Sequence, residues 1–368
     1  MDFPLWFKRF VFLKYRQKAV KNHKLDYLFW ECTLRCNLNC LHCGSDCTKA
    51  AGVKDMPVED FAGVLDDIRE RNPVKKINVC ITGGEPLVRK DLEDAGREII
   101  KRGYNWGIVT NGLLMTQERF NSLRKAGMTS LSFSLDGFEK EHNHLRQNPQ
   151  SWEKVLEGIK IVSDYQKKHP GRFVYDIITC VHQGNIHSLR QFRDFLIENN
   201  VPRWRIFSIF PEGRARENDL SLTPLQYKEL MDFIVETRSY ISKDGKSIQL
   251  NYSCEGYLGK YELKVRDYFF FCRGGISIAS VWCNGNVGAC LSVRSPELIQ
   301  GNIYQEKFMD IWNNKFHHMR DRSWAKKGKC ADCKKWKFCL GNGMHLHDDL
   351  SSAVSRCNYE ILKSIHHN

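Results

Sequence analysis

The stretch Asp26-Tyr-Leu-Phe-Trp-Glu-Cys-Thr33, followed at once by Cys36-Asn-Leu-Asn-Cys40-Leu-His-Cys43, decides the reading of this chain. Its first eight residues are an apolar, aromatic-rich run that suits a buried strand. The second part sets three cysteines at Cys36-x3-Cys40-x2-Cys43 on one tight loop. At this cysteine content such a triplet arises by chance only about 0.02 times in a chain of this length. Three thiolates can hold three irons of a four-iron cluster and leave the fourth iron open to a substrate or cofactor. The blander readings are a zinc site, with His42 or Cys47 as fourth ligand, or buried free thiols.

Outward from that strand the pattern repeats. Strand-like runs at 26–33, 76–82, 105–111, 130–136, 173–181 and 204–210 alternate with amphipathic stretches near 57–71, 89–102, 116–126, 152–169 and 186–199. A sixth helix begins at Thr223-Pro224-Leu225-Gln226, where Thr223 can cap, Pro224 suits the first helical position and Gln226 can close a capping box. Six β/α units imply a parallel sheet covered by helices, and right-handed crossovers curl it into part of a barrel. The expected fold is α/β, a partial (β/α)6 TIM-like barrel with a C-terminal cysteine-rich iron–sulfur domain. Ligands then sit at the C-terminal strand ends. The expected divisions are an N-terminal helix at 1–24, the barrel at 25–240 and the second domain at 241–368.

The chain has 368 residues and 15 cysteines. Its apolar N-terminus is interrupted by Lys8 and Arg9, so it does not read as a secretory signal, and no run of 18 apolar residues occurs. The cysteines then belong to a reducing, cytoplasmic compartment, where clusters of them bind metal.

The triplet at the end of a first barrel strand resembles the radical S-adenosylmethionine (radical SAM) superfamily, and the resemblance spans roughly 26–240. It implies that Cys36, Cys40 and Cys43 ligate a [4Fe-4S] cluster with His42 beside the bound S-adenosylmethionine. It implies that Gly83-Gly84-Glu85-Pro86, after the second strand, binds the methionine amino group. Asn111 ends the third strand and faces the same mouth. Ser134 and Asp136 lie on one face of the fourth strand and would contact the ribose or carboxylate. Arg146 is similar to an arginine that steadies the carboxylate, and Gly213 and Arg214 to a loop on the adenine side. The implied activity is reductive cleavage of S-adenosylmethionine to a 5′-deoxyadenosyl radical that abstracts hydrogen from a substrate.

Further on come Cys254, Cys272, Cys290, Cys330-x2-Cys333-x5-Cys339 and Cys357. This looks like the SPASM extension of radical SAM enzymes, which holds two auxiliary clusters and serves peptide- or protein-modifying members. The resemblance gives Cys330, Cys333, Cys339 and Cys357 to one cluster and Cys254, Cys272 and Cys290 to the other. Where the pattern calls for a cysteine four residues after Cys339, this chain has Gly343. The nearer auxiliary cluster then has an open iron, or is completed by His345, His347 or Cys283. Cys80 and Cys180 read as buried apolar residues.

The wording of Cys254-Glu-Gly-Tyr-Leu-Gly, Gly301-Asn-Ile-Tyr, Arg322-Ser-Trp and Gly343-Met-His-Leu is similar to radical SAM/SPASM proteins encoded beside a small lipoprotein in Bacteroidetes. The implied partner is a peptide or small protein, such as a lipoprotein precursor. Two rivals remain. An anaerobic sulfatase-maturase-like enzyme that makes formylglycine is disfavoured by Gly343. A protein with structural or electron-transfer clusters only is disfavoured by the open three-cysteine loop.

The net charge of +13 is local. Residues 1–24 carry seven Lys/Arg against one Asp, and 315–337 carry nine against two, which accounts for all of it. A nucleic-acid-coating protein would spread its charge along a face, so no nucleic acid is expected. The patch at 315–337 surrounds Cys330 and Cys333 and suits a flavodoxin- or ferredoxin-type donor. At the N-terminus Trp6, Phe10 and Leu13 share a face among lysines. That suits either a peripheral membrane helix or one packed on the barrel bottom or rim.

Overall fold

Strand and helix alternate from residue 27 to residue 208, as the apolar runs require. The computed structural model describes residues 3–72, 76–209, 211–253 and 256–365. Its units are β1 (Tyr27–Thr33), α2 (Val58–Arg71), β2 (Asn78–Gly83), α3 (Leu92–Lys101), β3 (Asn105–Thr110), α4 (Gln117–Lys125) and β4 (Met128–Ser134). They continue with α5 (Glu139–Arg146), α6 (Ser151–Lys168), β5 (Val174–Val181), α7 (Leu189–Glu198), β6 (Arg203–Ser208), α8 (Arg214–Glu217) and α9 (Pro224–Arg238). Helix α1 (Leu5–Asn22) precedes them. Expected strand bounds agree to within about two residues, and the last expected residue of β6, Phe210, lies outside the described residues. At α9 the capping box forms: the Thr223 hydroxyl accepts from the Gln226 N–H, and the Gln226 side chain accepts from the Thr223 N–H.

Strands β1 to β6 pair in parallel in sequence order. Side chains alternate across each strand. Trp30 stacks on Phe61 of α2 at 4.2 Å, so Leu28, Trp30 and Cys32 face the helices. Glu31 and Thr33 therefore point inward. The core fills the space between sheet and helices, with Trp106, Phe133, Phe173, Phe192 and Trp204 fully buried.

The sheet does not stop at residue 240. β7 (Gln249–Tyr252) pairs in parallel with β6, and β8 (Ile278–Val281) pairs in parallel with the other edge of the barrel, β1. β9 (Asn286–Gly288) and β10 (Gly301–Asn302) extend that edge antiparallel, giving ten strands in the order β10-β9-β8-β1-β2-β3-β4-β5-β6-β7. Both edges of the barrel are thus covered by the C-terminal part, which removes their exposed hydrogen-bonding groups.

Helix α1 departs from the expected packing on the barrel bottom or rim. Its buried residues, Phe12 and Arg16, face the C-terminal region. Phe12 packs on Phe269 at 5.2 Å, and Arg16 donates to the carbonyls of Phe338 (3.1 Å) and Lys337 (2.7 Å). The reason is chemical: the short helix ending at Cys339 has carbonyls with no helical acceptor role filled, and a buried guanidinium satisfies them. No helix among the described residues is long and apolar enough to cross a membrane.

Candidate active site at the barrel mouth

The cysteine loop after β1 is held by backbone contacts from three strand ends. The turn after β2 is laced to it: the Gly84 N–H donates to Thr33 O (2.8 Å) and the Glu85 N–H to Arg35 O (3.0 Å). Only glycine fits. Gly83 has φ +139°, and a Cβ there would lie 2.2 Å from Thr33 O; at Gly84 it would lie 2.2 Å from Arg35 O.

Glu85 is fully buried and engaged by this chain. It accepts from the Leu87 N–H (3.1 Å), the Thr110 hydroxyl (2.7 Å) and the Asn111 N–H (2.7 Å). Burial pushes its pKa up against those donors. Glu85 therefore braces the ends of β2 and β3 against each other, and an ammonium at this turn would be an additional partner. Asn111 in turn donates to Asn37 Oδ1 at 2.8 Å and sits 4.0 Å from Cys36 Sγ.

On the far side stand Asp136 and Arg146. Asp136 has no exposed surface, and its Oδ2 takes Arg146 Nε at 2.7 Å and Nη2 at 2.5 Å. Oδ1 accepts from the Cys180 N–H at 2.8 Å. Burial alone would raise this carboxyl, but Arg146, with His42 and His142, holds it at about 2. Arg146 Nη1 reaches Cys40 Sγ at 3.7 Å. Asp136 thus has a role that its place on the strand did not announce: its oxygens hold Arg146 against the loop. Ser134 is half-buried at the end of β4. His42 is driven down to about 3 by burial, with Arg146 adding to it. Its ring nitrogen lies within 4.8 Å of an Asp136 oxygen and of Cys180 Sγ. Cys180, read as a buried apolar residue, instead is half-buried and faces this cluster.

The loop after β6 closes the ring. Arg214 donates from its N–H to Cys43 O (3.1 Å), from Nε to Cys40 O (2.8 Å) and from Nη1 to Asp46 (2.5 Å) and Cys47 O (3.2 Å). Gly213 has φ +54° and a Cβ there would meet Cys43 O at 2.4 Å. Gly213 and Arg214 therefore fix the backbone of the cysteine loop itself.

The fourteen described cysteines are all free of disulfides. Burial pushes Cys36 up to about 12 and raises Cys40. Cys43 is drawn down to about 5, chiefly by a hydrogen bond from the Cys47 thiol. The donor set fits a four-iron cluster: three thiols on one loop, their backbone locked, with Cys47 turned to Cys43. Metal binding there releases the thiol protons of Cys36 and Cys40.

In the C-terminal part burial raises Cys330, Cys339 and Cys357, and neighbouring thiols among Cys330, Cys333 and Cys357 add to each of these shifts. Cys290 and Cys272 form a second pair, with Cys290 at about 12 through burial first and Cys272 next. Cys254 lies outside the described residues. Arg322, buried, carries its charge among Cys272, Cys339 and Cys330. Cys339 Sγ is met by the Asn342 N–H at 3.2 Å. Of the three groups able to stand in for the missing cysteine at Gly343, Cys283 faces Glu31 (Sγ to Oε1 3.8 Å) and His347 is hydrogen-bonded to Gly341 O at 2.6 Å. His345 lies within the field of Arg322.

One functional group escaped the sequence reading. Arg294 reaches from the second region to the first loop, pairing with Glu31 and donating to Ser45 Oγ at 2.6 Å, with its guanidinium over Trp282 at 5.0 Å. Its only sequence signal is a lone arginine four residues after Cys290.

Residues 30–196 match the profile of the Radical SAM superfamily, and residues 272–334 that of SPASM, an iron–sulfur cluster-binding domain. The chain is a radical SAM enzyme with a SPASM domain. It binds a [4Fe-4S] cluster and S-adenosylmethionine, and its SPASM domain binds auxiliary iron–sulfur clusters. Among curated relatives, an AdoMet-dependent heme synthase of Methanosarcina barkeri is 28% identical over 85% of this chain and 89% of its own. The mycofactocin maturase MftC of Mycolicibacterium smegmatis is 25% identical over 86% of this chain and 77% of its own. Among solved structures, native anSMEcpe with bound AdoMet superimposes with a TM-score of 0.71, at 18% identity, over 93% of this chain and 96% of that one. That likeness shows the barrel-plus-SPASM fold.

Proposed function

We propose that this radical SAM enzyme takes a hydrogen atom from a peptide or small protein held over the barrel mouth. The observation that carries the chemistry is the three-thiol loop of Cys36, Cys40 and Cys43, locked by Gly83, Gly84, Gly213 and Arg214. When bound, the cluster and S-adenosylmethionine supply one-electron reductive cleavage to methionine and a 5′-deoxyadenosyl radical. The chain's own residues do the rest. Cys36, Cys40 and Cys43 ligate the cluster, and Arg146, held by Asp136, presents a guanidinium where a carboxylate would sit. The turn Gly83–Pro86, with Asn111, Ser134 and His42, lines the space beside it. Cys330, Cys333, Cys339 and Cys357 hold one auxiliary cluster, and Cys254, Cys272 and Cys290 the other, with His345, His347 and Cys283 the candidates to complete it in place of a cysteine at Gly343.

The peptide reading is supported by the SPASM domain and by the maturase among the relatives. A lipoprotein precursor as that peptide rests on the wording of the C-terminal motifs alone. A membrane location for such a substrate agrees with α1, where Trp6 (70% exposed) and Phe10 (52%) stand outward among lysines. A second reading, hydrogen abstraction from a heme precursor, is favoured by the heme synthase relative. Deuterium transfer separates them. The enzyme, reduced anaerobically with S-adenosylmethionine, is given a deuterated candidate precursor peptide or a deuterated tetrapyrrole. Deuterium in 5′-deoxyadenosine from the peptide supports the first reading; deuterium from the tetrapyrrole alone overturns it.

A further inference from the structure

We propose that the lysine-lined groove beside Cys333 docks a small acidic protein that carries one electron. The inference rests on the reading that Cys330, Cys333, Cys339 and Cys357 hold an auxiliary cluster, and it names the surface through which that cluster is reached.

The groove encloses about 590 Å³ and is lined by Lys329, Lys334, Lys335, Lys363, Asp332 and Cys333, among others. Four lysines face one aspartate. Lys329 is tied to Glu360 at 3.0 Å. Among the described residues, Lys334, Lys335 and Lys363 have no acidic partner within 4 Å, so their charge is available to a visitor. Cys333 is half-buried and forms part of the groove wall. In the first loop Cys36 and Cys40 are 9% and 8% exposed and Cys43 is half-buried, but among the described residues no comparable set of lysines lines that loop.

Behind the groove, cysteines and arginines lie within electrostatic reach of one another, and Arg294 makes direct contact with the first loop. Cys330 and Cys357 lie within electrostatic reach of Cys333, and Cys339 within reach of Cys330 and Cys357. Arg322 sits between Cys330, Cys339 and Cys272. Cys290 lies next to Cys272 and within the field of Arg294. Arg294 in turn contacts Ser45, two residues from Cys43. Positive charge along this line favours the more negative, reduced state at each stop. The lysines lie at one end of the chain's charge and not along a track, which suits a compact acidic partner rather than a polynucleotide.

The step is a single electron transfer. The carrier's reduced flavin or iron–sulfur centre loses one electron and is oxidised by one unit. The four-iron cluster that Cys330, Cys333, Cys339 and Cys357 would hold gains that electron and is reduced by one unit, and no proton or bond changes hands.

The test uses full-length, anaerobically reconstituted enzyme and an acidic flavodoxin as probe. Binding of the oxidised flavodoxin is measured by calorimetry across a salt series. Reduction by its hydroquinone is followed by stopped-flow absorbance and compared with reduction by photoreduced deazaflavin. The double variant Lys334→Glu/Lys335→Glu should weaken binding and lower the ratio of the two reduction rates by about tenfold or more at low salt. The wild-type advantage should vanish as salt rises. Should that variant lose iron, Lys363→Glu, also in the groove lining, must show the same loss of binding. Unchanged binding and rate ratio in variants that keep their iron overturn the proposal. So does an equal loss on reversing Lys14 and Lys18 in the other basic patch. Cys333→Ala tests the underlying reading separately: full iron content in it removes the ligand assignment, whatever the lysine variants do.

Discussion

Asp136→Asn should destabilise the barrel far more than an isosteric change normally would. Asp136 has no exposed surface, and two guanidinium nitrogens of Arg146 lie at 2.7 and 2.5 Å from one of its oxygens. Charge centres about 4 Å apart at an effective dielectric of about 20 interact by about 4 kcal/mol. Removing one member of such a buried pair leaves the other uncompensated, at a cost of about 3–5 kcal/mol. For a domain of this size that is a fall in Tm on the order of 10 °C. Arg146→Met alone should cost a similar amount. The double variant should cost less than the sum by about 2 kcal/mol or more, because neither charge is then stranded. Differential scanning calorimetry of the four proteins without cofactor closes the cycle. Single effects that simply add would refute the pairing and with it the account of how Arg146 is held 3.7 Å from Cys40 Sγ. The acid side gives the same sign. Asp136 is held at about 2, below its ordinary 3.8, so its contribution is complete above pH 4 and is lost as pH falls toward 2.

Further expectations follow from single contacts. His142 is fully buried, takes the Asp136 N–H on Nδ1 at 3.0 Å, and is pushed by burial to about 4. It stays neutral when folded but charges when unfolded, so stability should fall as pH drops from 6.5 toward 4. The loss is roughly 2 kcal/mol by pH 5, and melts of His142→Gln should show a flatter profile over that window. Gly83→Ala sets a Cβ 2.2 Å from Thr33 O at φ +139° and should cost about 3 kcal/mol, with reduced iron loading by colorimetric iron analysis. Arg16→Ala removes two charged donors from the Lys337 and Phe338 carbonyls. It should free α1 to proteolysis, with a loss of about 2–3 kcal/mol read by calorimetry.

Much of the barrel could be read from the chain because each unit is local. The periodicity of residues 58–71 and the capping residues at Thr223 act within a few positions, so they show in sequence. The short strands β7 to β10 did not. Runs of two to four residues carry too little periodicity, and their place is set by pairing with β6 and β1, whose sequence holds no trace of them. The cysteine spacing pointed to the loop, and Gly83, Asn111, Arg146 and Arg214 do surround it. Their contacts were not legible. That Asp136 holds Arg146, that Glu85 braces two strand ends, and that Arg214 ties down Cys40 and Cys43 are consequences of tertiary approach. The docking of α1 on the C-terminal region spans 321 residues between Arg16 and Lys337, beyond any local signal.

The central claim is that the locked loop of Cys36, Cys40 and Cys43 holds the cluster at which S-adenosylmethionine is cleaved. Its most direct test is 5′-deoxyadenosine formed under anaerobic, reducing conditions by the reconstituted wild type, Cys40→Ala and Cys47→Ala. The account predicts product from the wild type and from Cys47→Ala, and none from Cys40→Ala, which should also lose about four irons. Undiminished product from Cys40→Ala, or loss of product only in Cys47→Ala, would contradict it.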